Sequence, residues 1–159
     1  MEPSSIRFAT DRMLGRLARM LRLLGYDTEY SPEITTAQLG EIAERTDRIV
    51  LTRGQAERRF PGLRNVFSVQ SDSAPEQLRE VVEHFGLDTR QGLWTRCTIC
   101  NGLIETVEKA AVADLVPPKV FEVYEEFYRC VDCAHIYWRG SHIERTLRNL
   151  ESLLGPPKP

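Results

Sequence analysis

The feature that most constrains this 159-residue chain is the placing of its four cysteines. All of them fall in two Cys-x-x-Cys pairs, Cys97-Thr98-Ile99-Cys100 and Cys130-Val131-Asp132-Cys133. Two intervening residues let both thiolates of a tight turn face one ion. Two such turns complete a tetrahedral shell with Zn–S distances of about 2.3 Å. Four thiolates fill that shell and leave no position for water, which makes the expected zinc structural. The competing assignments are two disulfides or a redox pair. A cytosolic setting disfavours the first. The second needs a thioredoxin-like context and accounts for one pair only. The 29 residues between the pairs exceed the common ribbon spacing and leave room for a β-hairpin or a longer excursion. Metal binding supplies most of the stability of such ribbons, so losing the ion is expected to unfold residues 97–139.

With 42% hydrophobic and 28% charged residues, the chain has the means to bury a core and is not of the disordered class. Its apolar runs are short, Ile49-Val50-Leu51 being typical, so no segment is expected to span a bilayer. The opening Met1-Glu2-Pro3-Ser4-Ser5 has no apolar signal core, and the expected location is cytoplasmic. A net charge of -2 excludes a globally basic nucleic-acid binder. The basic residues are nevertheless almost all arginine, Lys109, Lys119 and Lys158 excepted. Arginine forks suit phosphate, but a GC-rich genome gives the same bias, so arginine richness alone decides nothing.

Residues 1–88 alternate strand-like and helix-like stretches. Ile6–Ala9, Asp27–Tyr30, Arg48–Thr52 and Asn65–Val69 read as strands. Residues 12–24, 36–45, 55–59 and 75–85 read as helices, with Met13, Leu14, Leu17, Leu21 and Leu24 at helical spacing in the first, Leu39, Ile42 and Ala43 inward in the second, and Leu78, Val81, Val82 and Phe85 inward in the last. This alternation predicts a parallel α/β sheet flanked by helices. A ribbon with a C-terminal helix is expected over residues 89–154, containing strands at 103–107, 127–129 and 135–139 and a helix near 142–153. Val116-Pro117-Pro118 reads as a break, and residues 155–159 as a disordered tail.

In open parallel sheets ligands gather beyond the carboxyl ends of the strands. That rule draws attention to Asp11, Ser31, Arg53-Gly54 and the stretch Gln70 to Asp72. Asp11 is a natural N-cap and also a candidate metal-binding carboxylate. Arg12, Arg16, Arg19 and Arg22 recur at spacings of 4, 3 and 3, a stripe suited to a phosphate backbone or simply to solvent.

The segments Phe8-Ala9-Thr10-Asp11-Arg12-Met13-Leu14-Gly15-Arg16-Leu17-Ala18-Arg19 and Leu21-Arg22-Leu23-Leu24-Gly25-Tyr26-Asp27-Thr28 resemble the opening of Mut7-C RNase domains. Val50-Leu51-Thr52-Arg53, the motif Cys97-x-x-Cys100-Asn101-Gly102, Cys130-x-x-Cys133 and Ile136-Tyr137-Trp138-Arg139-Gly140-Ser141-His142 extend the likeness over about residues 6–150. The resemblance implies a PIN-like nuclease fold followed by a zinc ribbon. It also implies a carboxylate cluster that holds Mg²⁺ or Mn²⁺ against an RNA phosphodiester. Asp11, Asp27 and Asp72 are the candidate catalytic residues. Arg12, Arg16, Arg19, Arg22, Arg53, Arg139 and His142 are the candidate RNA contacts. Tyr137 and Trp138 can stack on bases or pack the ribbon. The chain departs from the family where Gly54 follows Leu-Thr-Arg and where Thr35-Thr36 opens the second helix, since an acid is usual at both places.

Three functions follow: a metal-dependent endoribonuclease, a non-catalytic RNA-binding protein associated with ribosomal or transfer RNA, and a protein-interaction adaptor. Gly54 and Thr36 raise the second, and the arginine stripe lowers the third. RNA is the expected partner, with no membrane and no evident preference for DNA. The sequence does not fix the oligomeric state.

Overall fold

The computed structural model describes residues 5–155; the expected disordered tail lies, apart from Gly155, outside them. The described residues fall into two compact units, divided between Asn101 and Gly102.

The first unit is an α/β layer structure. Its strands are β1 (Phe8–Thr10), β2 (Thr28–Glu29), β3 (Ile49–Thr52) and β4 (Val66–Ser68), all parallel in the order β2-β1-β3-β4. The register sets Ala9 beside Val50 and Leu51 beside Phe67. Helices α1 (Gly15–Leu23), α2 (Thr36–Thr46), α3 (Ala56–Arg59) and α4 (Ala74–Phe85) fill the connections. Side chains alternate between the two faces of a strand, and both faces here are covered. Ala9 and Val50 pack with Leu39, Ala43 and Phe60 on one side. Phe8 turns the other way and meets Phe85 edge-on at 5.6 Å. Both faces being buried explains why β1 and β3 are almost wholly apolar.

Local chemistry sets the ends of the helices. The α2 terminus is a capping box, in which the Thr35 hydroxyl accepts from Gln38 N–H and the Gln38 side chain accepts from Thr35 N–H. Ser73 caps α4, and Gly86 closes it at a φ of 62°. Residues 89–101, assigned from sequence to the ribbon, belong to the first compact unit. Tyr26 Oη donates to Asp88 O, and Trp94 N–H donates to Leu23 O.

The second unit holds an antiparallel sheet of β5 (Ile104–Val107), β6 (Phe127–Cys130) and β7 (Ile136–Trp138), then α6 (Ser141–Leu154). The long excursion between the cysteine pairs contains a 3₁₀ turn, Lys109–Val112, and helix α5 (Pro118–Val123). The sequence predicted a break at Pro117-Pro118. The chain does break at Val116-Pro117, and Pro118 then starts α5, where a missing N–H costs nothing. Val112, Val116 and Phe127 form the core there, with Trp138 packed against it. The helix expected near 142–153 starts at Ser141, with Gly140 as its N-cap.

Candidate functional site

The carboxyl edge of the parallel sheet is built around one carboxylate. β1 ends on buried Thr10, and the chain turns at Asp11, whose Oδ1 accepts from Met13 N–H at 2.9 Å. Its Oδ2 accepts three bonds: from Thr52 Oγ1 at 2.8 Å, Arg53 N–H at 2.9 Å and Arg59 Nη1 at 3.0 Å. Thr52 and Arg53 stand at the end of β3, and Arg59 comes from α3. Asp11 is 2% exposed. A buried carboxylate requires partners of this kind, and a guanidinium is the strongest of them.

Arg59 joins the positions at which the chain departs from the expected acids. Its Nη1 also donates to Thr52 Oγ1 at 2.9 Å, and its Nη2 donates to Thr36 Oγ1 at 3.0 Å. At Gly54, a Cβ would stand 2.4 Å from Arg59 Cδ. A side chain at residue 54 and the present course of Arg59 therefore exclude one another. An open cleft of about 480 Å³, lined by Thr36, Glu41, Glu44 and Phe60 among others, borders Arg59.

Arg53 is committed elsewhere on the same edge. Its Nη1 donates to Gln70 O and Ser71 O at 2.9 and 2.5 Å, and its Nη2 meets Asp72 Oδ1 at 2.9 Å. Arg53 thus braces the loop after β4. Asp72 lies on the expected edge but is 97% exposed, and it pairs with Arg53.

Asp27 does not join this site. It precedes β2, and its carbonyl accepts from Phe8 N–H at the start of β1, which puts it at the amino edge of the sheet. There its carboxylate takes Arg48 Nη1 and Asn101 Nδ2, each at 2.7 Å. Burial alone would raise the Asp27 pKa. The hydrogen bonds from Arg48 and Asn101, with the charge of Arg48, outweigh burial and hold it below its ordinary value. A catalytic assignment for Asp27 is therefore corrected, since the length of β1 separates the two edges.

Arg22 is corrected as an RNA contact. It is 4% exposed, and its donors go to Thr28 O, Thr98 O and Ile99 O. Burial pulls the pKa of this guanidinium down. Arg12, Arg16 and Arg19 remain exposed, as do Arg139 and His142. Trp138 faces His142 edge-on at 6.3 Å.

The metal-ligating atoms of Cys97, Cys100, Cys130 and Cys133 all lie within 4.8 Å of one another. A tetrahedral zinc thiolate spaces its sulfurs by about 3.8 Å, so the set fits such an ion, and soft thiolates suit zinc. None of the four is in a disulfide. Each knuckle closes the same way: Asn101 N–H donates to Cys97 O, and Ala134 N–H donates to Cys130 O. Asn101 and Ala134 both have positive φ, 75° and 64°. Gly102 is required next to the second knuckle, because a Cβ there would stand 2.9 Å from Cys130 Sγ and 2.5 Å from Asp132 Oδ2.

A family model described as the Mut7-C RNAse domain matches residues 6–150. The chain belongs to the Mut7-C RNase domain family. It is also 33% identical over 103 residues to a protein named "Exonuclease mut-7 homolog" from Homo sapiens, a match covering 61% of this chain and 12% of that protein. The chain thus corresponds to a small part of that relative. No solved structure gives a significant match.

Within this Mut7-C domain, the donor set at Asp11 does not fit a divalent-cation site. Hard cations need several carboxylate or carbonyl oxygens on one ion. Here one carboxylate is already engaged by four donors, and one of them is a guanidinium. Sequence reasoning missed Arg59, Arg48 and Asn101. The local signal for Arg59 was its place in a short helix just after Gly54; Asn101 stood in the Cys97-x-x-Cys100-Asn101-Gly102 motif with no hint of its bond to Asp27, and nothing local marked Arg48.

Proposed function

We propose that this Mut7-C domain is an RNA-directed protein that holds a phosphodiester backbone at the carboxyl edge of its parallel sheet without hydrolysing it. The observation that carries this reading is the four-bonded Asp11 carboxylate, whose one charged donor is Arg59. Family membership supports nucleic acid as the class of partner, and RNA within that class. The exposed Arg12, Arg16 and Arg19 follow directly on Asp11 in sequence and offer sequence-independent phosphate contacts. The cysteine set takes a structural role, holding zinc as a closed tetrathiolate with no step of chemistry assigned to it.

The competing reading is a metal-dependent endoribonuclease centred on Asp11. The family match favours it, together with the position of Asp11 and Asp72 on one sheet edge. Incubating the zinc-loaded protein with hairpin and single-stranded RNA in Mn²⁺ separates the two. Retention of RNA with no cleavage, by wild type and by Asp11→Asn alike, is the expected result. Mn²⁺-dependent cleavage that disappears in Asp11→Asn would establish the ribonuclease instead.

A further inference from the structure

We infer that Arg59 is a fixed cation built into the chain, standing between Asp11 and the RNA where a divalent ion would otherwise be needed, and that it binds a phosphate itself. This deepens the RNA-directed reading and rests on it for the identity of the ligand.

The geometry has three parts. First, the guanidinium is held by oxygens on separate elements: Asp11 after β1, Thr52 at the end of β3 and Thr36 at the start of α2. A group fixed from three directions is positioned before any ligand arrives, which lowers the entropy lost on binding. Second, the two Nη1 hydrogens and one Nη2 hydrogen account for those bonds. Of the five donors of a guanidinium, Nε–H and one Nη2–H remain, in a side chain 33% exposed. A half-exposed arginine with two donors left over is suited to phosphate oxygens. Third, Gly54 is what lets the side chain take this course, because a Cβ at residue 54 would collide with Arg59 Cδ at 2.4 Å.

The same contacts give Arg59 both tasks of a bound ion. It cancels the charge of the buried carboxylate that would otherwise repel RNA, and it keeps N–H donors for a phosphate oxygen. Removing it leaves Asp11 facing the backbone. Replacing it while supplying an acid at residue 54 recreates two carboxylates near two threonine hydroxyls, a donor set of the kind hard cations take.

The test uses the full zinc-loaded chain, with a labelled single-stranded RNA as probe and Mn²⁺ as the added metal. Circular dichroism confirms that each variant is folded. Arg59→Met is expected to weaken RNA binding about tenfold and to lessen the slope of log affinity against log salt by about 0.7, one single-strand phosphate contact. Mn²⁺ is expected not to tighten RNA binding by wild type. In the double variant Gly54→Asp with Arg59→Ala, Mn²⁺ is expected to tighten it, with uptake of one ion per chain seen as loss of the free Mn²⁺ resonance. Adding Asp11→Asn to the double variant should abolish that uptake. The inference is overturned if folded Arg59→Met keeps wild-type affinity and salt slope, if wild type takes up Mn²⁺ through Asp11, or if the folded double variant takes up none. Should wild type retain no RNA at all, the functional reading fails on its own. Mn²⁺ uptake by wild type and the double variant then decides the placing of Arg59.

Discussion

Two carboxylates carry the polar logic of the parallel sheet, buried Asp11 at one edge and half-buried Asp27 at the other, and each is answered by an arginine. At the carboxyl edge, Arg59 completes the shell of Asp11. Replacing Arg59 by alanine leaves a buried acceptor short of its charged donor, and a loss of about 1–3 kcal/mol is expected in urea unfolding. At the amino edge, Arg48 and Asn101 hold Asp27 below its ordinary pKa. A carboxylate depressed in the folded state contributes stability above its unfolded value, near 4. That contribution is lost as pH falls through the folded value. The Tm of wild type should therefore fall more steeply below about pH 4 than that of Asp27→Asn, whose acid limb is expected to be flatter. Parallel acid limbs for the two proteins would contradict this account of Asp27.

At the scale of elements, much of the pattern was legible because it is local. The apolar spacing of α1, α2 and α4, the Thr35 cap and the Gly86 stop are written in consecutive residues. The Asp11 turn was legible too, since a buried triplet followed by an aspartate fits a strand end and a cap. Arg22 was misplaced for a physical reason. A helix advances about 100° per residue, so two three-residue steps from Arg16 turn Arg22 back by about 120°, out of the exposed stripe and toward the buried flank. The cysteine knuckles were legible because ligand geometry is itself a spacing rule. Gly102 ties that rule to packing: a methyl group there would press on Cys130 Sγ at 2.9 Å. Gly102→Ala is expected to weaken zinc retention, measured as faster transfer of zinc to a chromogenic chelator. Transfer at the wild-type rate would show that the knuckle accommodates the methyl.

For the whole molecule, partner choice across distant segments is what the sequence withheld. Arg59 reaches Asp11 across 48 positions, and Asn101 reaches Asp27 across 74. Neither pairing leaves a local trace, because the fold brings these residues together only after the strands have paired. The division of labour that results has a testable form. Chelation of zinc should remove amide protection from β5, β6 and β7, whose unit has a small apolar core. Amides of β1 and β3, buried on both faces of their sheet, should stay protected in hydrogen-exchange mass spectrometry. The claim that organises the rest is that a guanidinium, not a metal ion, completes the carboxyl edge. The most direct measurement is a crystal grown with zinc and soaked in Mn²⁺, with anomalous data collected at both absorption edges. The account predicts zinc among the four cysteines, and Arg59 still bonded to Asp11 with no manganese beside it. Manganese bound to Asp11, with Arg59 displaced, would contradict it.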